Sequence, residues 1–202
     1  MRKISAHYLY PVSALPVRYG TVVTDRRGVV RELLDPGGVM REESGTFFYS
    51  GILVPAFWVY LKAGDEAGGE GEIAAVRKVM GAAGCRGGVV AFRERVVQMD
   101  LYEEEVPEVE SAVAAELQKR LVVVRKEGSG IPVEALFPLA DVPLQQRREA
   151  FGRRLRALTL EAARVLGVEA AGCMAPGCRP GLVVLEMDFG EWRAKGTMNV
   201  DR

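Results

Sequence analysis

Apolar and polar positions alternate from the start of the chain. Ile4, Ala6, Tyr8 and Tyr10 fall on one side of an extended segment, which predicts a strand over residues 3–10. Three further stretches have β-branched, aromatic or apolar character, at 18–24, 28–34 and 46–57. The turns between them are marked by TDRRG at 24–28 and DPGG at 35–38, where glycine supplies the left-handed conformation a tight turn needs. Together these segments predict an antiparallel module of four short strands.

The period then changes. Ile73, Val76, Met80 and Ala83 recur at helical spacing over 72–83, and GGVVAF at 87–92 follows as a buried strand. RVVQMDLY at 95–102 reads as another strand. Pro107 suits the first turn of a helix carrying Val106, Val109, Val113 and Leu117, and LVVVRKEG at 121–128 is again strand-like. This alternation predicts βα units and a largely parallel sheet. One long helix is expected over 143–166, with Phe151, Leu155, Leu158, Ala162 and Val165 as its apolar stripe and Gly167 at its end; a last strand covers 181–189. The charges of QRREAFGRRLR read as a solvated helix face, an anion site being the sharper alternative.

Composition narrows the chemistry. Lys+Arg and Asp+Glu balance at 27 each, so no global field recruits nucleic acid or an anionic membrane. No apolar run reaches the ~20 residues of a membrane helix. MRKISAHYLYPV lacks the apolar segment of a signal peptide, so the expected compartment is the cytoplasm. Cys85, Cys173 and Cys178 form no CxxC pair and are expected as free, mostly buried thiols. His7 is the one histidine in 202 residues, which leaves no imidazole pair for a transition metal and little scope for imidazole acid–base work.

Read together, the two ends of the sequence resemble the amidohydrolase superfamily in its cytosine deaminase, guanine deaminase and chlorohydrolase-like branch. YSGILVPAF is similar to the GxxxPGFVxxHxH segment that closes the family's small β-domain and opens its barrel. Thr159, Ala163, Leu166 and Gly167 match a TxxxAxxLG helix, and Pro176, Gly177 and LVVLE follow where a PGxxADLVVLD-like strand returns to the β-domain. The resemblance covers roughly residues 2–57 and 145–189. It implies an α/β (mixed α+β) chain: a composite β-sandwich from residues 1–57 and 168–202, plus an incomplete (β/α) barrel-like layer over 58–167.

Two departures shape the functional expectation. Aligning Pro55, Ala56 and Phe57 with the family's Pro-Gly-Phe puts Leu61 and Ala63 where the family has two metal-binding histidines, with Lys62 between them. Neither side chain can ligate a metal, so no metal and no cofactor is expected. Only about 90 residues separate Phe57 from the C-terminal helix pattern, against ~250 for a complete barrel, which predicts internal loss of barrel units. The remnant is expected either as a curved barrel fragment or as an open sheet.

The leading expectation is a non-catalytic, amidohydrolase-like binding or interaction module. Edges and helix faces uncovered by the missing units predict a homodimer, unless the long C-terminal helix covers a flattened sheet. The alternative is a metal-independent enzyme, or a small-molecule sensor, using a residual site at the C-terminal ends of the strands. Its ligand-binding candidates are Lys62 and Asp65, Arg93 and Glu94, and Arg125 and Glu127. Cys85 beside Arg86 is a further, thinner candidate for a nucleophile.

Overall fold

The alternating segment at the chain start folds as β1 (Arg2–Leu9), followed by β2 (Val17–Arg18), β3 (Thr21–Thr24), β4 (Val30–Leu34) and β5 (Thr46–Pro55). These belong to a computed structural model that describes residues 1–41, 43–125, 143, 146–188 and 191–197. Two late strands, β10 (Leu182–Asp188) and β11 (Glu191–Thr197), join the early ones. The result is one seven-stranded sheet in the order β11-β10-β5-β1-β3-β4, with β2 added to β1. Early and late strands therefore meet in one sheet: Leu182 stands opposite Pro55 and Leu185 opposite Ile52.

One pairing departs from the expected antiparallel module. β1 runs antiparallel to β3, and β3 to β4, but β1 and β5 are parallel, with Ser5 beside Phe48. Asp25 explains the tight β3–β4 connection: its carboxylate accepts the N–H groups of Arg27 (2.8 Å) and Val29 (3.0 Å), and Gly28 takes φ 76°. The longer connection after β4 brings the chain back to the starting end of β1, so β5 enters alongside in the same direction.

The second sheet holds β6 (Phe57–Lys62), β7 (Cys85–Ala91), β8 (Val96–Asp100) and β9 (Val123–Arg125), in the order β8-β7-β6-β9. β6 is parallel to β7 and β9, while β8 returns antiparallel at the edge. Among the described residues this is an open mixed sheet, and no barrel closes. α1 (Glu70–Ala82) connects β6 to β7, its first turn held by the Glu72 carboxylate, which accepts the N–H groups of Gly68 and Gly69.

The helix expected from Pro107 starts later, as α2 (Ser111–Arg120). Residues 107–109 instead run along β8, where Gln98 N–H donates to Pro107 O (2.9 Å) and Val109 N–H to Val96 O (2.8 Å). An edge strand has backbone groups to satisfy, and that demand outweighs helix formation here. The C-terminal helix begins among the described residues at Arg147–Arg156, passes through a π-helical turn (Ala157–Glu161), continues over Ala162–Val165 and stops before Gly167 at φ 71°. Within the π turn, buried Thr159 donates its hydroxyl to Leu155 O at 2.7 Å.

Ala56, fully buried, is the single residue between the two sheets. From there β6 is apolar on both sides. Phe57, Val59 and Leu61 pack in a cluster with Val76 and Met80 of α1, Phe151 and Leu155 of the C-terminal helix, and Val183 of β10. Trp58 and Tyr60 belong to another cluster, with Leu117, Ala162, Ala163 and Leu166. A strand covered on both faces needs this composition. Gly88 is tied to the same packing: at φ 153° it sits so close to β6 that any Cβ would run into Val59 O.

Candidate functional site

The parallel strands β6, β7 and β9 end together, with Lys62 beside Ala91 on one side and Arg125 on the other. This is where the sequence places its candidates. Leu61 and Ala63, the positions aligned with the family's ligands, are 1% and 4% exposed, within the cluster that includes Phe92, Val124 and Phe151. Among the described residues this surrounding is hydrocarbon, and neither position offers a side-chain nitrogen or oxygen. Among the described residues no group of three or more His, Cys, Asp or Glu side chains is arranged to hold a metal ion.

The charged candidates stand around this filled centre. Lys62 and Asp65 are exposed. Arg93 and Glu94 pair with each other at 2.7 Å, 60% and 61% exposed, and the Arg93 N–H donates to Glu66 O. Arg125 is beside Lys62 in backbone register, and Glu127 lies outside the described residues. His7 is exposed on β1, edge-on to the rings of Phe48 (5.2 Å) and Tyr19 (6.0 Å), in the other sheet.

The opposite end of the sheet holds charges that are built into the protein. Arg86, at the start of β7, is 7% exposed and donates from Nε and Nη2 to the carboxylate of Asp100 at the end of β8, with the closest approach at 3.0 Å and Asp100 15% exposed. Asp100 also accepts the N–H of Tyr102 (3.0 Å). The Arg86 guanidinium lies 4.7 Å from the Tyr102 ring and 5.6 Å from Trp58, and Arg179 lies 4.7 Å from the same Tyr102 ring. A cleft of about 500 Å³ opens beside this stack, lined by Gln98, Glu103, Glu169 and Arg179 among others. The sequence does carry a signal for the pair that the strand readings passed over: one arginine in an otherwise apolar strand and one aspartate closing the next.

The thiols divide by environment. Complete burial pushes Cys85 up to about 12, and Arg86 is held by Asp100, so Cys85 is a neutral core thiol and not the nucleophile its neighbour made imaginable. Cys173 and Cys178 are free as expected, the first buried and the second half-buried.

No protein-family model matches the chain, and no curated protein matches it. Solved structures do. N-acetyl-D-glucosamine-6-phosphate deacetylase from Mycobacterium smegmatis aligns at 13% identity and TM-score 0.58, over 100% of this chain and 99% of that chain. An adenosine deaminase from Xanthomonas campestris with bound zinc aligns at 12% identity and TM-score 0.50, over 93% and 85%. In a ligand-bound mutant of the same deacetylase, the match takes in 44% of this chain and 24% of that chain, at 16% identity and TM-score 0.36. Identities this low speak for fold alone. The chain shares its fold with the deacetylase matched at TM-score 0.58 and the adenosine deaminase matched at 0.50.

Proposed function

We propose that this chain is an amidohydrolase-like protein that has given up metal-dependent hydrolysis and serves as a binding or interaction module. The observation that carries the reading is the burial of Leu61 and Ala63 in a packed apolar cluster, at the positions aligned with the family's paired ligands. A metal-activated water needs several nitrogen or oxygen ligands around an open coordination position. The cytosine and guanine deaminase branch, read from the terminal motifs, belongs to this proposal. The test is an assay of the purified chain, supplied with zinc, manganese or iron(II), against adenosine, cytosine, guanine and N-acetyl-D-glucosamine 6-phosphate. No turnover is expected, and metal-dependent turnover of any of them overturns the reading.

The interaction proposed is self-association in the cytoplasm. Tyr8, Phe47 and Phe48 stay exposed on the paired strands β1 and β5, and uncovered aromatic surface of this kind favours a partner. Light scattering is expected to show a dimer; a monomer at high micromolar concentration contradicts it. A second reading, a small-molecule sensor, draws on the register that aligns Lys62 and Arg125 at the strand ends, near Asp65, Arg93, Glu94 and Glu127 in the sequence. A thermal-shift screen against purines, pyrimidines and amides separates the two, because a stabilising hit abolished by Lys62→Ala supports the sensor.

A further inference from the structure

The segment from Cys173 to Cys178 has a geometry that neither the fold comparison nor the proposed function uses. Cys178 N–H donates to Ala175 O at 2.9 Å, with Pro176 in the second position of the turn and Gly177 in the third at φ 88°. Proline followed by a glycine of positive φ is the combination a type II turn requires. The turn is also pinned from outside. Gly177 N–H donates to Val30 O, Val30 N–H to Cys178 O (both 2.8 Å), and Met174 N–H to Pro11 O (2.9 Å). Chain reversal and anchoring together bring the two sulfurs to 3.6 Å.

We propose that Cys173 and Cys178 are a redox pair that closes to an intrachain disulfide by exchange with a small-molecule disulfide. Cys178, the more accessible of the two, attacks first: its thiolate forms a bond to one sulfur of the oxidant and expels the other as a thiolate. Cys173 then attacks the Cys178 sulfur, the mixed disulfide breaks, and the second small thiol departs. The protein pair loses two protons and two electrons, and the oxidant is reduced to two thiols. Burial first, and then the adjacent Cys178, push the Cys173 thiol up to about 11 against the opposing pull of Ser13 and Arg164. Cys173 gives up its proton as the second sulfur–sulfur bond forms. Closure fixes the turn that feeds β10.

The test treats the reduced full chain with oxidised glutathione, then alkylates it under denaturing conditions and digests it with trypsin. Trypsin does not cut between Arg179 and Pro180, so both cysteines fall in one peptide, residues 165–193, and the disulfide appears there as a mass two hydrogens below the dithiol peptide with no alkyl group, while Cys85 is alkylated in full. With Cys173→Ser the reaction is expected to stop at a glutathione adduct on Cys178. With Cys178→Ser, buried Cys173 is expected to gain none. A persistent glutathione adduct on the unaltered chain, alkylation of both cysteines after treatment, or a bond to Cys85 or between chains overturns the proposal.

Discussion

At the C-terminal ends of β6, β7 and β9 the buried positions are Leu61 and Ala63, and the nearby charges of Lys62, Asp65, Arg93 and Glu94 are on the surface. At the other end of the same sheet Arg86 and Asp100 carry charge into the protein, shielded by Trp58 and Tyr102. Among the described residues one end is packed with hydrocarbon, and the other carries a largely buried ion pair beside an open cleft. The contrast teaches that buried polar groups in this layer support the fold, whereas the described residues at the end where α/β layers ordinarily bind ligands form a packed apolar cluster.

The sharpest way to break the comparison is Asp100→Ala. It leaves the buried Arg86 guanidinium without its carboxylate, and removal of one partner from such a pair costs about 3–5 kcal/mol. Urea denaturation measures this, and a loss below about 1 kcal/mol, the range of exposed pairs, would place the pair in effective contact with solvent. At the packed end, Leu61→His puts a polar ring into the apolar cluster and is expected to cost about 2–4 kcal/mol. If the variant is as stable as the parent, the site retains room for a ligand.

A third test uses pH. The Cys85 thiol is raised from its ordinary value of 9.0 to about 12 by burial, so the unfolded chain releases this proton first. The stability involved is fully present below about pH 9 and is lost as pH rises toward about 12, a matter of a few kcal/mol. In Cys85→Ala, urea midpoints taken over that range should fall less steeply, leaving the slope from Cys173, Tyr10 and Tyr60, which burial also raises. The smallest effect belongs to Lys62→Ala, expected within about 0.5 kcal/mol of the parent because the side chain is exposed. Set beside Leu61→His, it measures how abruptly the packed interior gives way to surface.

Strands and helices of this chain were largely legible because their apolar residues follow the two periods, 2 and 3.6, that the backbone imposes. β1 and the C-terminal helix came through this way, and the paired terminal motifs anticipated that early and late strands would come together. Partner choice was less legible. The pattern of β5 states which faces are apolar but not whether the neighbouring strand runs parallel, and β1 proves to do so. Val106 and Val109 fit a helical stripe, yet residues 107–109 follow the β8 edge, because hydrogen bonding to a distant strand leaves no mark in local spacing. The Arg86–Asp100 pair was missed for a related reason: each residue looks like an isolated charge until β7 and β8 are placed side by side. The apolar identity of residues 61 and 63 could be read directly, whereas their packing with Phe92, Val124 and Phe151 required the fold.

Elemental analysis bears most directly on the central claim. The chain is purified, incubated with excess zinc, manganese or iron(II), and passed through gel filtration before metal is counted per protein. The account predicts far less than one metal per chain for each ion, with no difference between the parent and Leu61→Ala. One tightly held metal per chain would contradict it.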